Sequence, residues 1–278
     1  MTIGFVTDST AYLPRTFIED LPVEVVPVHV LVDSVVFDET SDVSMHDIAQ
    51  KMRAGAVVTT SRPSVQEFVS AYEMLHTSGH DQIISVHLSS HLSGTYEAAM
   101  LAAAKCDFEI RVIDSQAVGM MMGFPLRSGI QLAQSGADID DVEDHIRSRC
   151  EQSFLIFAVD TLEFLERGGR ISPLQARLAS KFSVKPLLEV KNGTIVLREV
   201  VRSTEKANFK LIDIVRSLGP LAQDIAVHHV DALERGTFIA EQLRLRLGRP
   251  EIPLIEIGPV VGAHVGPGAV AVAVSTQQ

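Results

Sequence analysis

Hydroxyl-bearing residues gather at four places where a β-branched, apolar run ends: Thr7-Asp8-Ser9-Thr10, Thr59-Thr60-Ser61, Ser89-Ser90-His91-Leu92-Ser93-Gly94-Thr95 and Asp114-Ser115. In an open α/β sheet the carboxyl ends of the strands form the edge at which ligands bind. Hydroxyls there donate hydrogen bonds, and the helix that follows adds free N–H groups and the positive end of its dipole, so such an edge suits an anion. The plain alternative for any one cluster is that it only caps its helix. Four clusters on one edge favour a ligand.

Two further stretches carry chemistry. Gly258-Pro-Val-Val-Gly-Ala-His-Val-Gly-Pro-Gly268 sets His264 among glycines and prolines ahead of a last strand. It reads as a loop, and it has neither the GK[ST] of a phosphate loop nor the strand-loop-helix order of a dinucleotide site. An imidazole held there could donate to a carboxylate or phosphate oxygen; a solvated turn is the bland reading. In Asp160-Thr-Leu-Glu-Phe-Leu-Glu-Arg-Gly-Gly-Arg170, the glycines are expected to end a short helix and leave Arg170 on an exposed turn, in reach of an anion or merely at the surface.

Other groups point to less. His228-His229 lies in an apolar strand, and none of the ten histidines has HExxH spacing, so no metal is expected. Cys106 and Cys150 stand apart, which suggests neither a disulfide framework nor a zinc site. Met120-Met121-Met122 with Phe124 is a core cluster by its usual fate, or else the wall of a pliable pocket. Without G-x-S-x-G or a Cys-centred motif, covalent hydrolysis lacks a nucleophile elbow.

The elements that must position these residues alternate through the first half. Strands are expected at Ile3–Thr7, Val25–Val32, Val57–Thr60, Ile83–His87 and Ile110–Ile113, and helices at Ser64–His76, Ser93–Ala104, Val118–Ser135 and Asp140–Gln152. That order implies parallel strands with right-handed crossovers, a doubly wound α/β domain over residues 1–152. From residue 153 to 278 the pattern changes to a mixed sheet. It includes a hairpin turning at Asn192-Gly193, helices at Ser203–Leu218 and Ala232–Leu247, and terminal strands near Leu254 and Val270–Val274. The 278 residues carry a net charge of −11, a poor balance for nucleic acid or anionic lipid surfaces. No secretory leader is read at MTIGFVTDST, and the most apolar stretch is too broken to span a bilayer, so a cytoplasmic protein without stable membrane insertion is expected.

The sequence resembles the DegV family of bacterial lipid-binding proteins, which includes the fatty-acid-binding subunits of bacterial fatty acid kinase. The matching stretches are Val6-Thr-Asp-Ser-Thr10, Thr60-Ser-Arg-Pro-Ser64, Ser89-Ser-His-Leu-Ser-Gly-Thr-Tyr96, Val112-Ile-Asp-Ser115, Asp160-Thr-Leu-Glu163, Gly168-Gly-Arg-Ile171, Lys185-Pro186 and Gly262-Ala-His-Val-Gly-Pro-Gly268. The resemblance implies a two-domain DegV-like α/β fold with the ligand site between the domains. It implies one long-chain fatty acid in an apolar tunnel, no other cofactor, and a separate kinase subunit that phosphorylates the bound acid to an acyl phosphate. The protein would then be a carrier in phospholipid metabolism and not itself the enzyme. Carried onto this sequence, the carboxylate contacts fall on Thr60, Ser93 and His264 with Ser61 and Gly94 adjacent, and Arg170 and Arg202 match basic positions tied to phosphate handling or kinase docking. Arg62, His91 and Ala263 depart from the family's usual residues and are expected at the mouth of the site.

Two alternatives stand beside the carrier: an acyl hydrolase or transferase using the Ser/Thr edge with His264 as base, or a lipid-responsive regulatory protein. Charge distribution bears on the partner. From Leu165 to Lys210 there are ten Lys and Arg against four Glu, a basic stretch in an acidic chain that contains both Arg170 and Arg202.

Overall fold

The computed structural model describes residues 2–172 and 184–276. In order, the first half runs β1 (Ile3–Asp8), α1 (Arg15–Ile18), β2 (Val23–Val26), β3 (His29–Val32), β4 (Val35–Asp38), α2 (Met45–Arg53), β5 (Val58–Ser61), α3 (Val65–Thr77), β6 (Gln82–His87), α4 (Thr95–Ala103), β7 (Glu109–Asp114), α5 (Met120–Gln134) and α6 (Ile139–Glu151). The second runs β8 (Ser153–Ala158), α7 (Glu163–Arg167), β9 (Lys185–Lys191), β10 (Thr194–Val201), α8 (Thr204–Ser217), β11 (Ala222–His229), α9 (Leu233–Leu247), β12 (Leu254–Glu256), α10 (Pro259–Val265) and β13 (Val270–Thr276).

Three sheets result. The first is parallel, in the order β2-β1-β6-β7, and every residue of β1 is buried because helices cover both faces. The second is a small antiparallel sheet, β4-β3-β5. The third is mixed, β10-β9-β8-β13-β11-β12, with only the β11–β12 pair parallel. Packing arranges these in layers. Phe68 and Tyr72 of α3 and Ala98 of α4 cover one face of the parallel sheet. Its other face meets Met120, Phe124, Leu126 and Ile130 of α5 and Ile146 of α6, and the same cluster continues into Leu155, Phe157 and Leu188 of the mixed sheet. Leu211 of α8 and Leu243 of α9 close the far side. The Met120–Phe124 run is therefore central core, with each methionine and Phe124 buried.

Local chemistry explains several element ends. Ser64 and Glu67 form a reciprocal capping box at the start of α3. Asn192 and Gly193 have φ of 49° and 74°, the pair of positive values a two-residue hairpin turn requires. Ser89 Oγ donates to the Gly193 carbonyl at 2.7 Å, so this turn also ties the two halves together.

Three expectations change. The apolar run Val25–Val32 is two strands of different sheets: Pro27 has no N–H for a ladder, and the Val28 N–H is taken by Ser9 Oγ at 3.0 Å. The strand bearing Thr60 belongs to the antiparallel sheet with β3 and β4, not to the parallel one. The glycine-rich stretch after residue 258 folds into helix α10, not a loop. Within the basic stretch, Arg177 and Lys181 lie outside the described residues.

Candidate functional site

Two cavities meet at a partition made by Thr60, Arg170 and His264. The larger runs inward between the halves, walled by Val118, Leu155, Phe157, Val190, Ile195, Ile257 and Val261 among others. The smaller opens on the other side, against Met52, Val58, Phe164 and Arg167.

Each side chain of the partition is held by a different element. Thr60 is fixed by the pairing of β5 with β3, which sets it opposite Val30. His264 stands near the end of α10, and its Nε2 meets Thr60 Oγ1 at 2.8 Å. Its Nδ1 is buried without a hydrogen-bond partner among the described residues and faces Gly168, where a Cβ would stand 2.3 Å away. Burial, and after it the charge of Arg170, pushes the imidazole down to about 4, so it is neutral at pH 7. Arg170 follows the turn after α7 and is half-buried, not exposed as its glycines suggested. Its Nε donates to the Leu92 carbonyl at 2.9 Å and a terminal nitrogen to that of Gly168. Burial lowers its pKa below the usual guanidinium range.

The opposite lip is the start of α4. Ser93 Oγ bonds Thr95 Oγ1 at 2.8 Å, and the N-cap residue Gly94 has no side chain to close the helix, so the first N–H groups of α4 have no side-chain cap. Arg62 lies across Gly94 and donates to its carbonyl at 3.1 Å. Ser61 lines the same cavity. The structure thus brings Thr60, Ser61, Ser93, Gly94, Arg170 and His264 to one cavity, with Arg62 beside them and Ala263 on the smaller one. Arg202 is not among them; it is exposed just past β10. His91 also lies elsewhere than expected, against the Asn192-Gly193 turn.

Chemically, the arrangement suits a carboxylate at the end of an apolar chain. With Nε2–H donating to Thr60, the Thr60 hydroxyl proton is free to point at a ligand, and Ser93, the N-cap Gly94 and the charged Arg170 line the same cavity. A neutral imidazole with no carboxylate on Nδ1 lacks the third group that orients a general base for nucleophilic attack. Among the described residues no three His, Cys, Asp or Glu stand close enough to share a metal ion. No described helix is long and apolar enough to cross a membrane.

Sequence reasoning missed two polar groups of the inner cavity, His228 and His229. His228 lines it, buried, with Nε2 accepting the Met120 N–H at 3.1 Å, and burial pushes its pKa down to about 4. Their only sequence signal was a histidine pair in an apolar strand.

A second constellation holds the residue types of a hydrolase without a hydrolase's room. Asp8 Oδ2 meets His87 Nδ1 at 3.0 Å, His87 Nε2 meets Ser85 Oγ at 2.6 Å, and Ser85 Oγ meets the Tyr72 hydroxyl at 2.9 Å. Asp8, His87, Ser85 and Tyr72 are fully buried, and none lines either cavity.

Comparison with known proteins gives one consistent result. The model of the DegV family, described as "Uncharacterised protein, DegV family", matches residues 2–277. A DegV domain-containing protein of Streptomyces coelicolor is 38% identical over 277 residues, 99% of each chain. The solved structure of a DegV family protein from Thermus thermophilus, described for its fatty acid binding, superposes with a TM-score of 0.91 at 30% identity over 100% of both chains. That of DegV, a fatty acid binding protein from Bacillus subtilis, does so with 0.88 at 32% identity, again over 100% of both.

Proposed function

The chain belongs to the DegV family, and on that premise we propose that it holds one long-chain fatty acid in the inner cavity and presents its carboxylate to a separate kinase subunit for phosphorylation. The observation that carries this reading is the partition itself: an apolar cavity ending in Thr60, Ser93, His264, Arg170 and the open start of α4. The fatty-acid binding described for the Thermus thermophilus and Bacillus subtilis relatives supports it. Residues 1–152 and 153–278 act as two domains gripping the ligand between them, in the cytoplasm, where ATP is at hand.

Energetics divide the work. About 14 methylenes at about 0.8 kcal/mol each set an upper bound near 11 kcal/mol for the tail before ordering costs. Charge-assisted hydrogen bonds of roughly 1.5–3 kcal/mol each hold and aim the head. A carboxylate at the partition borders the smaller cavity, where Arg167 and Arg170 stand. Phosphoryl transfer needs such positive charge and an in-line approach more than it needs a nucleophilic side chain. Arg202, exposed on the basic stretch, is a kinase-docking position.

Native mass spectrometry of gently purified protein tests the reading. The expected result is a bound long-chain fatty acid, and acyl phosphate formed only when ATP and the kinase subunit are both added. A ligand-free mass together with no uptake of added palmitate or oleate would overturn it. Turnover of acyl esters by the chain alone would favour the hydrolase instead, because Thr60 lies within reach of the His264 imidazole.

A further inference from the structure

Helix α10, which carries His264, begins without a cap of its own. Its N-cap residue Gly258 has no side chain and Pro259 has no N–H, so the first donors to satisfy belong to Val260 and Val261. Both are met from the other end of the chain. The Val260 N–H donates to Glu39 Oε2 at 3.0 Å. The Val261 N–H donates to the Tyr12 hydroxyl at 3.4 Å, which itself donates to Glu39 Oε2 at 3.2 Å. Ser9 donates its hydroxyl to Glu39 Oε1 while accepting the Val28 N–H. A Cβ at position 258 would stand 2.7 Å from Glu39 Oε2, so the buried carboxyl occupies the place where a Ser or Asp cap would reach. His264 lies four residues past Val260, on the same face of the helix.

Three donors converge on one carboxyl group. An ionised carboxylate holds all three with charge-assisted bonds, whereas a protonated one accepts them more weakly and has an O–H of its own to place among them. We infer that Glu39 is a positioning residue for His264: as a carboxylate it fastens the start of α10 and keeps the imidazole on Thr60, and as a neutral acid it loosens that hold, making retention of the ligand depend on pH. The consequence for the ligand rests on the carrier reading; the coupling of Glu39 to His264 does not.

Burial pushes Glu39 up to about 7 and Asp8 adds to the rise, while the hydrogen bonds from Ser9, Val260 and Tyr12 pull the other way. Both forms are therefore present near neutrality. The other titratable groups around it are Asp8 and Tyr12 on the segment after β1, Asp38 beside it in the chain, and His264 on α10. Asp8 is occupied by His87 and Thr10, Asp38 by Thr40, and Tyr12 stays a phenol because burial and Glu39 raise it well above its usual value. His264 itself stays neutral across this range.

The test follows the ring resonances of isotopically labelled His264 in the delipidated full chain from about pH 5.5 to about pH 8.5, a window in which only groups near neutrality titrate. Palmitate affinity is measured in parallel, on the parent and on Glu39→Gln. The expected result is an inflection near 7 in the parent that Glu39→Gln abolishes. Palmitate affinity should rise about tenfold across that step in the parent only, since a charge-assisted hydrogen bond is worth roughly twice a neutral one. A parent course without the inflection, or an inflection that survives Glu39→Gln, would overturn the inference; palmitate binding in that case would leave the carrier reading intact. Absence of palmitate binding at every pH would sink the carrier reading, and the resonances would still decide the coupling. Should Glu39→Gln fail to fold, Tyr12→Phe, which removes one donor to the carboxylate, must move the parent's inflection upward; an unmoved inflection overturns the inference.

Discussion

The fully buried His87 and the half-buried His264 each meet a hydroxyl, yet their surroundings make them opposites. His87 has both ring nitrogens engaged, by Asp8 and Ser85, and Ser85 is engaged in turn by Tyr72. Asp8 also accepts the N–H groups of Leu88 at 3.0 Å and Thr10 at 3.1 Å. Each of these side chains has its partner, and neither cavity of the partition touches them. His264 keeps one nitrogen without a partner among the described residues and sits where two cavities meet. An Asp-His-Ser sequence of contacts is thus structural cement in one place, while a plainer His-Thr pair is the better site in the other. Residue type does not make a site; unspent hydrogen-bonding capacity beside open space does.

Four measurements can break or sharpen that contrast. The largest effect belongs to the cement. Asp8→Ala strands several buried donors and should cost about 3–5 kcal/mol in chemical denaturation, while His264→Ala, which removes a single bond at a cavity wall, should cost about 1 kcal/mol. Reversed magnitudes would erase the distinction. Next, Thr60→Val and Ser93→Ala should each weaken palmitate binding by about ten- to a hundredfold, the loss of one charge-assisted bond of roughly 1.5–3 kcal/mol, with little change in melting temperature. Calorimetric titration reads this directly, and unchanged affinity in both would remove the hydroxyls from the site.

The third effect is on stability against pH. His228 and His264 stay neutral in the folded chain down to about 4, while unfolded imidazoles take protons near 6.5. What they contribute is whole above 6.5 and lost as pH falls through 4. Glu39 runs the other way: its contribution is whole below 4.5 and lost as pH rises through about 7. Across the middle of the window from 4.5 to 6.5 the unfolded chain gains two protons at the histidines and lacks the one on Glu39. These three groups then lower stability by about 1.4 kcal/mol per pH unit on acidification, and Glu39→Gln should roughly double the slope. A slope indifferent to position 39 would mean that Glu39 is ionised throughout. The smallest effect is expected at Arg202. Arg202→Ala should leave palmitate affinity alone and slow kinase association by about threefold at low salt, the scale of a rim charge; an on-rate insensitive to both the substitution and salt would end its docking role.

Much of this was legible in the sequence because it is local. The alternation of strands and helices, the Asn192-Gly193 turn and the hydroxyls behind the strands are set by neighbours within a few residues. Thr60, Ser61, Ser93, Gly94 and His264 stood out by residue type and place, but their role as carboxylate contacts entered only through family resemblance. The failures are all long-range. The stretch Pro259–Val265 has the glycines of a loop and becomes a helix because Glu39 and Tyr12 cap it across 221 and 249 positions. The small antiparallel sheet was hidden in a run whose periodicity looks continuous across Pro27, and whose partners cannot be seen in one dimension. Glu39 itself looked like one more acid in an acidic chain.

Thr60 and His264 are 204 positions apart, and Glu39 and Val260 are 221. Synthesis proceeds at about 5–20 residues per second, so roughly 10–40 seconds separate the making of one side of the partition from the making of the other. All the strands of the parallel sheet exist well before α10 does. A nascent or prematurely ended chain therefore exposes hydroxyls and apolar walls but has no imidazole across from Thr60 and no helix to fasten. On the carrier reading, ligand capture at this partition must therefore wait until α10 has been made, long after the hydroxyl side of the site.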